Sequence, residues 1–431
     1  MRAAAAESKP TDLLGRLRAF FLDAAPSGDV FPFAKAAGVA LLVLFLTILR
    51  KPVPVIIPQF WADDGPAFFQ QALESGARTF LIAHGGYYHT SIRLIALVGS
   101  LMPVALVPHL YLLAAITVLV FVAGYVFSPR ISLKYPTLLA LCLGLVPHGG
   151  EVYFTLANVN FYFGLVLALL LVSDPPVTRR QQIGDLVLIA LVAVSGPFSL
   201  ILAPLFVIRA LRERTPALIL RAALIGIGAA IQLTQVIANR IEGKDFRLRS
   251  VDVLTILGRR LLAPLLWGPF GAPEKSAVWL GPLLGVGALA LVALLAWGFG
   301  RRREDKPLYL LGAILLVVGA ALSVARGAPE TLFSVWSQDR FFFVPLVLLL
   351  WCLVQTLNQK SRMRLLPAAG LLAFTALHTM GQPCLGIFEM KDMHWAEQSR
   401  CIGGPSPCVI AINPPGWFVR YAGTAPAGQN P

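Results

Sequence analysis

The 431-residue chain has little charge: Asp, Glu, Lys and Arg make up 13% of it, about half the share of a soluble domain. Acids are scarcest, 22 against 36 Lys and Arg. A sequence so poor in charge, 57% hydrophobic and with a mean hydropathy of +0.73, cannot cover itself with water-facing side chains. That excludes an ordinary soluble protein and calls for lipid as solvent. The net charge of +14 would suggest nucleic acid in a soluble protein. In a membrane chain it belongs to cytoplasmic basic loops, partly against anionic head groups or phosphates. The expected partners are membrane lipids, with no nucleic acid.

Other absences narrow the chemistry. There is no HExxH, no GxxxxGK[ST] and no GxGxxG, so no zinc-protease, ATP-driven or dinucleotide chemistry is signalled. No internal repeat is visible, which argues against the inverted-repeat design of many transporters. Residues 1–33 lack an apolar core followed by a small-residue cleavage site and do not read as a signal peptide. Leu13, Leu14, Leu17, Phe20 and Phe21 fall at helical spacing, with Arg16 and Arg18 between them. They fit a short helix on the cytoplasmic membrane surface, and a disordered tail fits as well. Cysteine is sparse. Cys142 and Cys352 lie in apolar runs as small core residues. Cys384, Cys401 and Cys408 share the polar C-terminal segment 381–431. Three thiols permit one disulfide, its pairing open, if the tail lies outside the cytoplasm. Their irregular spacing favours a disulfide over zinc with His394.

What the chain does have is apolar runs, at 34–50, 108–127, 132–148, 159–173, 185–209, 217–238, 278–299, 307–325, 341–357 and 365–380. They define an all-α polytopic membrane domain at 34–380. Several fall short of the roughly 20 residues of an upright span, which is tolerated where helix ends line a protein cavity. Basic loops set the topology: RRREDK (301–306), NQKSRMR (358–364), RALRERT (209–215), TRRQQ (178–182) and SPRISLK (128–134). All are cytoplasmic if two conditions hold. The run 185–209 must be a hairpin turning at Gly196-Pro197, not one kinked span, and SIRLIALVGSLMP (91–103) must lie on the far surface without crossing. The result is roughly eleven crossings, N-terminus inside and C-terminus outside, and the high Ala, Leu and Arg content suggests a bacterial inner membrane. The far face then carries 51–107 as its first loop, 148–158, 239–277, 326–340 and the tail.

Polar residues gather in those segments. QFWADDGPAFFQQALESG (59–76) sets Asp63 and Asp64 side by side just past the first run, before an amphipathic helix ending at Gly76. The plain role for Asp64 is a helix start. The chemical role is a general base, or a ligand for a divalent cation such as Mg or Mn, at the mouth of a membrane cavity. Adjacent acids rarely point the same way, so one acts while the other orients or caps. Asp64 is the expected base and Asp63 its understudy. HGGYYHTSIR (84–93) offers His84, Tyr87, His89 and Arg93 for a phosphate and a sugar ring, or as a wet interfacial loop. HGGEVYFTLANVNFYF (148–163) places Glu151, Asn158 and Asn160 at the far boundary. Arg247, Arg249, Arg259 and Arg260 suit phosphates at the membrane surface, or lie on a plain surface helix. Arg340, after Asp339 and before an aromatic-rich run, suits a lipid-linked phosphate, or simply pairs with Asp339.

The acidic pair after the first span, the amphipathic far-side loop and the short spans resemble the polytopic GT-C-fold glycosyltransferases. FWADDGPAFFQQALESG and GGYYHTSIRLIALVGSLMP look like the first extracytoplasmic loop of a bacterial branch of that class, and SGPF, QDRFFFVP and INPPGW look similar to it too. The resemblance implies a GT-C-like helical bundle and an inverting transfer of a sugar from a polyprenyl-phosphate donor to an envelope glycan or glycolipid. A first-loop acid would activate the acceptor or hold a divalent ion, and basic residues would bind the donor phosphate. By position Asp64 matches the family's catalytic acid. The large C-terminal globular domain of many members is missing. Two rival readings are a lipid-linked sugar transporter or flippase, with its charges nearer the midplane, and an oligosaccharide polymerase or ligase that works through Arg and His. A third is a structural subunit of an envelope complex.

Overall fold

The computed structural model describes residues 20–22, 31–239, 248–270, 278–324, 328–334, 338–358, 362–382 and 390–423. Helices dominate. In chain order the longer ones are α1 (Phe33–Arg50), α2 (Thr90–Ser100), α3 (Val107–Tyr125), α4 (Pro136–Leu145), α5 (Val159–Val172), α6 (Arg179–Val192), α7 (Phe198–Glu213), α8 (Pro216–Ala238), α9 (Ser250–Leu257), α10 (Leu280–Arg302), α11 (Asp305–Val324), α12 (Arg340–Thr356) and α13 (Arg362–Gly381). A hairpin follows, with β1 at Cys408–Ile412 antiparallel to β2 at Trp417–Tyr421.

Five helices among the described residues are long and apolar enough to cross a membrane: Phe33–Arg50, Val104–Tyr125, Pro216–Ala238, Leu280–Arg302 and Asp305–Val324. The other apolar runs form shorter helices, and the reason is visible in the packing. Every residue of α5 is buried, as is α12 from Phe342 to Thr356. A helix that is apolar all round belongs in an interior. These two pack against each other and against α11, with α4 against α12 and α3, α6 and α7 against α5, so they meet protein on all sides. The run 185–209 is not one helix. It breaks between Val192 and Phe198 into α6 and α7. Most of the 91–103 stretch lies in α2, whose 11 residues span roughly 16 Å.

The basic loops converge at one end of the bundle. Arg130 and Arg221 both pair with Asp185, at 2.8 and 2.6 Å, and Lys306 pairs with Asp174 at 2.6 Å. Arg209 donates to the carbonyls of Leu171 and Ser173, and Arg221 also donates to that of Ser173. The last carbonyls of a helix lack internal partners and carry partial negative charge, so two guanidinium groups close the C-terminus of α5.

The opposite end is held by the C-terminal segment. Trp395 is buried with its ring edge-on to Phe60 and Phe69, and its Nε1–H donates to the Val104 carbonyl at 2.9 Å. Asn413 exchanges backbone hydrogen bonds with the Phe60–Ala62 strip. Cys401 and Cys408 form a disulfide, and Cys384 lies outside the described residues. Gly65 sits under the hairpin so closely that a Cβ there would come 2.5 Å from Ile412 Cδ1 and 2.7 Å from Val419 Cγ2. Gly65→Val is therefore expected to lift the hairpin, at a cost of about 1–3 kcal/mol. Faster proteolysis of the 390–423 segment would report it.

Candidate functional site

The first loop turns sharply after α1. Ala62 takes a positive φ of 45°, one turn of 3-10 helix covers Ala62–Asp64, and a π-helical turn follows at Gly65–Gln70. Such turns favour functional sites. Here they send the two adjacent acids in different directions. Asp64 is 2% exposed. Its Oδ1 accepts the Ala157 N–H at 2.7 Å and its Oδ2 the Trp61 N–H at 3.4 Å. Asp63 has a side chain 31% exposed, and its Oδ1 lies 3.3 Å from His84 Nε2.

His84 is positioned by a tight hairpin turn. His84 and Tyr87 exchange backbone hydrogen bonds at 2.9 and 3.1 Å. Gly85 and Gly86, with φ of 58° and 84°, supply the two positive-φ residues that such a turn needs. The loop is tied to the bundle through Tyr88, whose backbone N–H and C=O both bond Gln232 of α8, and through Gly196, whose N–H donates to the Tyr88 carbonyl. The α6–α7 turn thus sits at this end, away from the basic loops.

A cavity of about 330 Å³ opens beside these groups. Its lining includes the polar residues Asp63, His84, Tyr87, His89, Asn158, Asn160 and Arg340, together with Phe161, Phe198 and Phe341 and with Val317, Ala320, Ala321, Ser323 and Val324 of α11. Arg340 is aimed by Glu151, which accepts from both its backbone N–H at 2.9 Å and its Nη1. The guanidinium remains 35% exposed, and its Nε and Nη2 have no partner among the described residues.

Seven of the residues singled out from sequence therefore line one cavity: Asp63, His84, Tyr87, His89, Asn158, Asn160 and Arg340. Glu151 stands behind Arg340. Asp64, the expected base, does not line it. Nor does Arg93, which is fully buried and donates to Thr79 Oγ1 and Gln71 Oε1 with its guanidinium over Phe68. It braces the loop instead of meeting a ligand. Arg249 pairs with Asp252 at 3.0 Å away from the cavity, and Arg247 lies outside the described residues. Arg260 is not on a surface helix. It is 1% exposed and bonds the Leu332 carbonyl and Asp339.

No protein-family model matches the chain, and no curated protein or solved structure does. The site has to be read from its own geometry.

Electrostatics separates the two acids further. Burial alone would raise Asp63, but its bond and charge interaction with His84, together with the charge of Arg340, hold the carboxyl below its usual range. Burial pushes Asp64 up to about 7, against the opposing N–H groups of Ala157 and Trp61. A carboxyl whose folded value exceeds its unfolded 3.8 stabilises the fold in its neutral form. That contribution is complete below the unfolded value and is lost as pH rises through about 7. The midpoint of thermal unfolding should therefore drop between about pH 4 and about pH 7 in the wild type and level off above that, and Asp64→Asn should flatten that part of the profile.

Among the described residues no group of three or more His, Cys, Asp or Glu could hold a metal ion. Both Asp64 oxygens face backbone N–H groups, and Glu151 holds Arg340.

The sequence reading missed the supports. Arg50, buried at the end of α1, donates to the carbonyls of Gly144, Val146 and His148 and to Tyr153 Oη, and Lys51 donates to the Gly150 carbonyl. Both side chains are buried. His148 accepts from the Gly150 N–H on Nδ1 at 3.0 Å, so the proton on Nε2 faces Asp339 Oδ2, 2.9 Å away.

Proposed function

We propose that the protein is a membrane glycosyltransferase. It moves a sugar from a polyprenyl-phosphate donor to an envelope glycan or glycolipid acceptor, within a GT-C-like bundle of roughly eleven crossings. The chain would sit in a bacterial inner membrane with its N-terminus cytoplasmic and the cavity end and C-terminus outside. The Cys401–Cys408 disulfide supports that orientation, because disulfides persist in oxidising compartments.

The observation that carries this reading is the mixed lining of the cavity. Its lining combines a carboxylate–imidazole pair and an arginine with a largely apolar strip of α11. A lipid-linked sugar needs that combination: a cation for the phosphate beside an apolar wall for the first prenyl units. The site lies at one end of the bundle, and the middle is filled by the apolar α5 and α12. That placement favours an enzyme over a carrier, whose polar groups belong near the midplane.

In this reading Asp63 is the base. Geometry comes before pKa in choosing one. Asp64, with the value nearer neutrality, is turned away from the cavity, while Asp63 faces it and is ionised at neutral pH. The acceptor hydroxyl oxygen bonds to the anomeric carbon as the carbon–oxygen bond to phosphate breaks. The bonding pair leaves with the phosphate, beside the free N–H groups of Arg340, and the hydroxyl proton passes to the Asp63 carboxylate. Positive charge fixed next to the departing phosphate stabilises the transition state. His84 holds Asp63 in place. The test is transfer of labelled sugar from a panel of polyprenyl-phosphate sugars by membranes containing the protein. Transfer from at least one donor is expected, and none from any donor, with envelope acceptors supplied, would refute the assignment.

A further inference from the structure

A second opening lies at the other end of the molecule, between α10, α12 and α13. It is a groove of about 280 Å³, and its walls include Leu291, Leu294 and Trp297 of α10, Leu353 of α12 and Leu371 of α13. The groove can be reached from outside, since Leu294 is 64% and Trp297 53% exposed. Gly298 lines it as well. A Cβ there would meet nothing closer than Arg302 Nη2 at 3.9 Å, so the missing side chain leaves room for another molecule.

The length of the groove and the charge at its end point to one kind of occupant. It follows α10 from Leu291, midway along the helix, to Arg302 at its end, which is roughly 16 Å of helix. That matches one leaflet, half of a hydrocarbon core about 30 Å thick. At the Arg302 end the charges do not cancel. Glu304 pairs with Arg302, Asp305 with Arg212 and Lys306 with Asp174. Arg301 and Arg303 are exposed and have no acid partner among the described residues. The Arg301 guanidinium lies over the Trp297 ring, 4.8 Å from its centre. Because Trp297 is a wall of the groove, that contact holds the cation at its rim. Basic pockets between membrane helices suit anionic lipid head groups. We propose that this groove holds one glycerophospholipid with a net negative head group, drawn from the leaflet on the side of the basic loops. One acyl chain lies along Leu291–Gly298, and the phosphate sits at Arg301 and Arg303. The site is distinct from the cavity beside Asp63 and does not depend on the sugar-transfer reading.

Native mass spectrometry of the purified, delipidated full chain tests it, by titration with dioleoyl phosphatidylglycerol or dioleoyl phosphatidylethanolamine. The first phosphatidylglycerol should bind about tenfold or more tighter than the first phosphatidylethanolamine, since each unpaired arginine near the membrane surface contributes about fivefold. Arg301→Gln combined with Arg303→Gln should erase that preference. Both side chains are exposed, so the double variant should unfold with the wild type. Gly298→Leu fills the groove and should weaken both lipids. Glycerol phosphate, which has the anion without the acyl chains, should not displace phosphatidylglycerol even in large excess. Equal binding of the two lipids by the wild type, or a preference that survives the double substitution, would overturn the inference. So would undiminished binding by folded Gly298→Leu, or displacement by glycerol phosphate, because the arginines would then hold an anion without the groove.

Discussion

Asp63→Asn should lower sugar transfer by about a hundredfold or more, with thermal stability close to wild type. The amide keeps the size of the side chain and can still meet His84, but it cannot take the acceptor proton. The Asp63 side chain is nearly one-third exposed and its one ion-pair partner is likewise partly exposed, so the fold has little to lose. Asp64→Asn should separate from it. That change removes no group from the cavity, and its effect should appear in the pH profile of stability. Transfer rates and unfolding curves on both variants, at matched folded protein, check the pair. Equal loss of transfer from both would mean that the loop acts as a unit and that the orientation of the acids does not decide their roles.

The second large effect is expected at Arg50. The guanidinium is 1% exposed and serves three carbonyls and a phenol. In Arg50→Met the apolar stem remains, but three buried carbonyls lose a donor at about 1–3 kcal/mol each. A loss of at least about 3 kcal/mol is expected, enough to threaten the fold of a marginally stable protein. The released segment 144–153 leads directly to Glu151, which aims Arg340, so transfer should fall with stability. Chemical denaturation in detergent, monitored at the tryptophans, measures the cost, and Arg50→Lys should recover only part of it. A variant as stable as wild type would show that water or lipid satisfies those carbonyls.

Much of this architecture is legible in the sequence because hydrophobicity and charge are strong signals. The apolar runs mark the helices, the loops at one end of the bundle bring Asp63, His84, His89, Asn158 and Arg340 together, and the 185–209 run breaks at Gly196-Pro197. Helix length was less legible. A run such as 159–173 looks the same whether lipid or protein surrounds it, and only the packing shows that α5 is enclosed. The roles of Asp63 and Asp64 depend on the positive φ at Ala62 and the turn after it, which no local pattern announces. Arg50 and Lys51 were invisible for a related reason. A basic residue at the end of an apolar run ordinarily reaches for head groups, and here the pair reaches instead for a loop nearly a hundred residues away in sequence. Arg93 and Arg260 look like phosphate ligands by composition, but each already has protein partners.

The most direct test of the account is photo-crosslinking with a short polyprenyl-phosphate sugar that carries a diazirine on its first prenyl unit, followed by peptide mapping. The predicted label falls on the 317–324 stretch of α11 and on Phe341, and excess unlabelled donor suppresses it. Label confined to the opposite end of the bundle, around Leu291–Arg302 and Leu353–Leu371, would contradict the claim that this cavity holds the donor.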